Sequence, residues 1–178
     1  HSEGFHPKMK ISYPPALPLG MKGKAEVFDF KSYSAFSSDE FISHMNKFIP
    51  SGVKFIRLFR LKPSLPSLNE EIETLIYSVS LGDHELKEQI KRIGIERNIS
   101  GADNVKIIEA LINDYTTRAK DESFSKLKYD KRSNKLFIHV KFDPRRGPRP
   151  QDVVMKIFPI KNPSFFMTRE KIVLKDSL

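Results

Sequence analysis

The side chains best suited to chemistry fall in three short stretches. Ser2-Glu3-Gly4-Phe5-His6-Pro7 sets an acid three residues before a histidine. Histidine titrates near neutrality and a carboxylate can orient it, so Glu3 and His6 have the makings of an acid–base pair. Gly4 can adopt a positive φ and Pro7 stiffens the exit, so the loop would present His6 rigidly. The competing reading is architectural, with Phe5 plugging a core and His6 satisfying a backbone group. Asp143-Pro144-Arg145-Arg146-Gly147-Pro148-Arg149-Pro150 gathers three arginines ahead of a helix start. Guanidinium groups grip phosphate bidentately and a helix start exposes unpaired N–H groups, so Arg145, Arg146 and Arg149 make a phosphate-site candidate. The bland alternative is a solvated basic loop. The run 135–142 alternates: if Leu136, Ile138, Val140 and Phe142 point inward, Phe137, His139 and Lys141 share the other face. Aromatic and basic groups on an open sheet form a platform for single-stranded RNA bases. The same residues would be buried if two sheets packed face to face.

These stretches need elements to position them. Residues 9–13 read as a short strand closed by Pro14 and Pro15, 21–24 as a turn or bulge around Gly23, and 25–33 as a strand. Ser37, Ser38, Asp39 and Glu40 announce a helix, with Phe41, Met45 and Phe48 at helical spacing until Pro50-Ser51-Gly52. Residues 53–61 follow as a strand, and the Pro/Ser-rich 63–71 stretch as a linker. Beyond it, 72–81 alternates as a strand. Helical signal runs through Leu86, Ile90 and Ile93, breaks at Gly94 and resumes at Val105. Residues 124–129 and 135–142 flank a hairpin loop. Pro150 opens a helix and 167–174 is a last strand.

The order predicts an α+β protein of two ferredoxin-like halves, 1–62 and 72–178. The first half lacks its initial strand and helix. Because the chain opens on His1 and not on Met, it is expected to be the remainder of something longer.

Composition narrows the function. The 178 residues are 39% hydrophobic and 30% charged, a globular balance. No apolar run approaches the ~20 residues of a membrane span, and no secretory signal opens the chain, so a cytoplasmic protein without a membrane partner is expected. The chain has no cysteine. It therefore cannot hold a thiolate-ligated iron–sulfur cluster, a thiolate zinc site or a disulfide. The five histidines share no ligand spacing, and neither a Gly-rich nucleotide loop nor a GxSxG elbow occurs, so no metal or cofactor is expected. Lysine and arginine exceed aspartate and glutamate by 31 to 22, a net charge of +9, which favours a polyanionic partner such as RNA.

The order Ser-Glu-Gly-Phe-His-Pro at 2–7, Lys-Ile-Ser at 10–12, Ala-Leu-Pro-Leu-Gly at 16–20 and then an acidic strand resembles the radical-SAM-linked protein family. The resemblance is strong over 2–31, fair over 143–174, where Arg-Pro-x-Asp-Val at 149–153 matches a family motif, and weak over 96–130. That family is of unknown function, and its members are fused to or encoded beside a radical-SAM enzyme, often near RNA-processing genes. The resemblance implies a radical-SAM protein as partner, and gives residues 2–7 weight as a binding motif. The leading expectation is a non-catalytic accessory module that binds tRNA or rRNA. One alternative is an RNA-modifying enzyme, because paired ferredoxin-like halves resemble pseudouridine synthases; Asp29 and Asp143 would then be its fallback acids. Another is a protein–protein adaptor without nucleic-acid contact.

Overall fold

In a computed structural model, residues 10–62, 64–99, 103–119, 124–145, 149–160 and 165–175 are described. The chain forms β1 (Ile11–Ser12), β2 (Lys22–Gly23), β3 (Asp29–Phe30), α1 (Ser38–Met45), α2 (Leu68–Glu71) and β4 (Ile72–Ser80). It continues with α3 (His84–Glu96), α4 (Asn104–Arg118), β5 (Phe124–Asp130), β6 (Lys135–Lys141), α5 (Pro150–Ile157) and β7 (Met167–Leu174). The architecture is mixed, α+β in class. A five-stranded sheet runs β2-β7-β4-β6-β5, antiparallel except for the β2–β7 pair, and β1 and β3 form a separate two-stranded sheet.

The core follows from alternation. Leu75, Tyr77 and Val79 on β4 stand opposite Val140, Ile138 and Leu136 on β6, and all six are buried. Leu86, Ile90 and Ile93 of α3, Ile108 and Leu111 of α4, and Val154 and Ile157 of α5 join them in one apolar cluster. The helices thus cover one face of the sheet, which we call the inner face. Asp83 and Asp103 cap α3 and α4 by accepting from Leu86 N–H and Lys106 N–H, fixing where each helix begins. Asn134, at φ 49°, closes the β5–β6 hairpin and donates through its side-chain amide to Leu81 O.

Among the described residues before Leu68, none is buried. What holds this part is an aromatic cluster. The Phe30, Phe36 and Phe41 rings stack at centroid distances of 5.0–6.2 Å, and Phe28 and Phe55 meet at 5.7 Å. The helix start is as expected: Ser37 and Glu40 form a capping box at the head of α1.

Several expectations are corrected. Residues 53–61, read as a strand, form no ladder. Helix α1 takes backbone groups a ladder would use: the Asn46 amide brackets Phe55, accepting from its N–H at 2.8 Å and donating to its carbonyl at 3.0 Å, and Ser38 Oγ donates to Leu58 O. Gly23, read as a turn, lies in β2 and pairs in parallel with β7. Gly94, read as a helix break, sits inside α3, where a Cβ would come within 2.7 Å of Ile107; its bareness lets α3 and α4 approach. The 63–71 stretch, read as linker, contains α2, whose Ser67 N–H donates to Glu70 at 2.9 Å and whose Leu68 is buried.

Candidate nucleic-acid interface

The register that sends Leu136, Ile138 and Val140 inward turns Phe137, His139 and Lys141 to the outer face of the sheet. Across the hairpin, Lys128 stands opposite Phe137 and Lys126 opposite His139. On β4, the partners of Phe137, His139 and Lys141 are Ser78, Ile76 and Thr74. Phe137 and His139 are each half-buried, in the middle of a row framed by lysines. A register shift between Ile76 and Tyr77 inserts an extra residue in β7, which sets both Glu170 and Lys171 on this outer face.

Electrostatics here are mostly positive. Burial, together with the Lys126 and Lys128 ammonium groups, lowers the pKa of His139 below 6.5. Glu170 is the acid within this field: Lys24 pairs with it at 2.7 Å, Ser78 Oγ donates to it at 2.6 Å, and Lys135 lies 3.8 Å away. Burial raises its pKa, but the Lys24 and Ser78 contacts outweigh this and leave it lowered. At the Lys141 end, the face opens into a groove of about 540 Å³ lined by Thr74, Ser125, Lys141 and Pro144, together with Glu70 and Glu73.

The arginine loop starts from this groove. Arg145 is highly exposed; its backbone N–H donates to Asp143 at 2.9 Å, and its side chain pairs weakly with the same carboxylate at 3.4 Å. Arg149 occupies the N-cap of α5 and lies 3.8 Å from Asp152 in the first turn. Arg145 and Arg149 each have an acid within 4.0 Å but remain highly exposed, so these contacts hold them only weakly. Arg146 lies outside the described residues, as do Ser2, Glu3, Gly4, Phe5, His6 and Pro7. Of the two fallback acids, Asp29 accepts from Leu68 N–H at 3.3 Å and Asp143 holds the turn at Arg145, so both have a structural task. Among the described residues, no group of three or more His, Asp or Glu side chains could hold a metal ion.

The structure therefore gathers Phe137, His139 and Lys141, and it adds Lys126, Lys128 and Lys171, which sequence reading did not single out. The signal for two of them was present: Lys126-Leu127-Lys128-Tyr129 alternates, and a hairpin placed after Asp130 puts both lysines beside the 135–142 row.

Beneath the sheet, Arg169 is 1% exposed on the inner face. Its guanidinium forms a bidentate pair with Glu26 and donates to Pro15 O at 2.8 Å, with the Tyr77 ring alongside. Gly23 makes this possible, since a Cβ there would come within 2.6 Å of the Glu26 carboxylate.

Compared with known families, residues 1–132 match DUF2344, described as uncharacterised protein conserved in bacteria, and the chain belongs to that family. The match runs through the 96–130 stretch, and the arginine loop lies beyond the matched residues. No curated protein and no solved structure matches the chain significantly. Among the described residues, no helix is long and apolar enough to cross a membrane.

Proposed function

We propose that the chain is a non-catalytic accessory module that binds single-stranded RNA on the outer face of its five-stranded sheet. It works in the cytoplasm beside a radical-SAM enzyme that modifies the RNA, the partner implied by the motif at 2–7. The observation that carries the reading is the half-exposed Phe137–His139 pair at the centre of β6, bordered by Lys126, Lys128 and Lys141. Bases stack on aromatic faces for about 1–3 kcal/mol each, and lysines along the row neutralise the backbone. An open sheet suits unpaired bases, because a duplex keeps its base faces stacked on one another and out of reach of aromatic side chains. The β–α–α–β–β–α–β order of residues 72–174, with neighbours β7-β4-β6-β5, supports a ferredoxin-like half. Residues 1–62 are read as the other, first half.

The test measures binding of a labelled single-stranded oligoribonucleotide, and of its duplex, at low and physiological salt. Single strands are expected to bind better. Phe137→Ala should weaken binding about 5- to 100-fold, in line with the loss of one stacked base. Replacing Lys126 and Lys128 by Ala should flatten the salt slope by about 1.4, at roughly 0.7 per phosphate contact. Absence of binding at low salt, or indifference to Phe137→Ala, would refute the reading.

A further inference from the structure

We infer that the outer face ends in a subsite for the terminal phosphate of an RNA strand, an inference that rests on the RNA reading above. The place is the end of β4 away from the Lys141 groove. There a cavity of about 130 Å³ has Lys22, Lys135, Ser80, Thr168 and Phe166 in its lining. Lys22 stands beside Thr168 through the parallel β2–β7 pairing, and Lys135 opposite Ser80 through the β4–β6 pairing, so four strands converge on this one spot. Gly20, in the turn at φ 81°, lines the cavity too and walls it on the β2 side.

Charge selects what the cavity would take. Lys24 is matched to Glu170 at 2.7 Å, while Lys135 reaches the same carboxylate only at 3.8 Å. Among the described residues, Lys22 has no carboxylate within 4.0 Å. Three lysines against one carboxylate leave two positive charges in surplus. An internal phosphodiester carries one negative charge, whereas a phosphomonoester carries about −1.5 to −2 near neutral pH. The surplus therefore fits a chain end better than a chain interior. The Ser80 and Thr168 hydroxyls supply donors for the extra oxygen, and Phe166, 70% exposed at the rim, offers a plane for the terminal base.

The experiment compares three single-stranded oligoribonucleotides of one sequence, labelled internally, with the whole chain. One carries a 5′-phosphate, one a 3′-phosphate, and one hydroxyls at both ends. The phosphorylated 5′ or 3′ end is expected to bind roughly tenfold tighter than the hydroxyl-ended strand, the size of a charge-assisted contact. Which end is preferred gives the polarity of the strand. Lys22 is exposed, so Lys22→Ala folds normally; it should bring phosphorylated and unphosphorylated strands to one affinity, and Lys22→Arg should restore the preference. Equal affinity of all three strands overturns the subsite and leaves the RNA reading standing, whereas no binding of any strand removes both. A preference that survives Lys22→Ala also overturns the site.

Discussion

Partial burial, with the facing Lys126 and Lys128 ammonium groups, favours the neutral form of His139 and lowers its pKa below 6.5. A phosphate laid beside it would reverse that balance and raise its pKa, which means that binding takes up a proton. Affinity should accordingly be flat where the imidazole is neutral in both free and bound protein, and rise as the pH falls and the bound form takes up its proton. His139→Gln should abolish the rise, as read by binding titrations between pH 5.5 and 8. Stability of the free protein has the opposite sign: the folded pKa is depressed, so the unfolded chain takes up the proton first and stability falls over the same interval. This row was legible in the sequence because strand alternation has a strict period of two, so Leu136, Ile138 and Val140 dictate where Phe137 and His139 point. The arginine loop was legible only as composition. Nothing in the spacing of Arg145 and Arg149 revealed that Asp143 and Asp152 would stand within 4.0 Å of them.

At the scale of elements, glycine misled the sequence reading twice for one reason. Gly23 reads as a turn or bulge and Gly94 as a helix break, whereas each is a place where another side chain passes close by. Their roles depend on Glu26 and Ile107, which no local pattern connects to them. Gly94→Ala tests this. An exposed helical site would gain about 1 kcal/mol from the better helix former. Here the new methyl would press on Ile107 Cδ1 at 2.7 Å and Cγ1 at 2.9 Å, so a net loss of about 1–2 kcal/mol is expected in urea denaturation. Pairing it with Ile107→Val, which removes Cδ1, should recover part of the loss; additive effects would show that the two residues do not meet. The 53–61 segment failed in the reverse direction. Its Val, Ile, Phe and Leu content favours a strand, but composition describes a preference and not a neighbour. With Asn46 bracketing Phe55, it lies extended and unpaired, leaving Ile56 66% and Phe59 70% exposed. By contrast α1, α5 and β4–β7 were all visible from caps, prolines and alternation.

At the scale of the molecule, an ion pair buried at its arginine end fastens the amino-terminal part to the sheet. Glu26 reaches Arg169 across 143 residues of sequence, and Pro15 O and the β2 pairing complete the attachment. Glu26→Ala would leave a guanidinium that is 1% exposed without its carboxylate. A fully buried pair broken this way costs about 3–5 kcal/mol, and the partial exposure of Glu26 reduces the expectation to about 2–3 kcal/mol. Hydrogen exchange should show the loss locally, at the Lys24 amide that donates to Arg169 O, before it appears in global unfolding. Substituting Arg169→Met as well should recover part of it. The mixed α+β class could be read from sequence; this fastening could not, because a lone arginine in a strand carries no mark of its distant partner. The placement of Arg169 also sets a timetable. β7 leaves the ribosome after all the other described strands, yet it lies between β2 and β4 and holds the only arginine that Glu26 engages among the described residues. Long-range pairing of this kind is slow to form, since loop closure must precede the contacts that reward it. A nascent chain can therefore assemble β4, β5 and β6 while one flank of β4 stays open and residues 10–33 wait undocked. Only the emergence of β7 closes both gaps, and a chain stopped short of β7 would carry an open β4 edge for other chains to pair with.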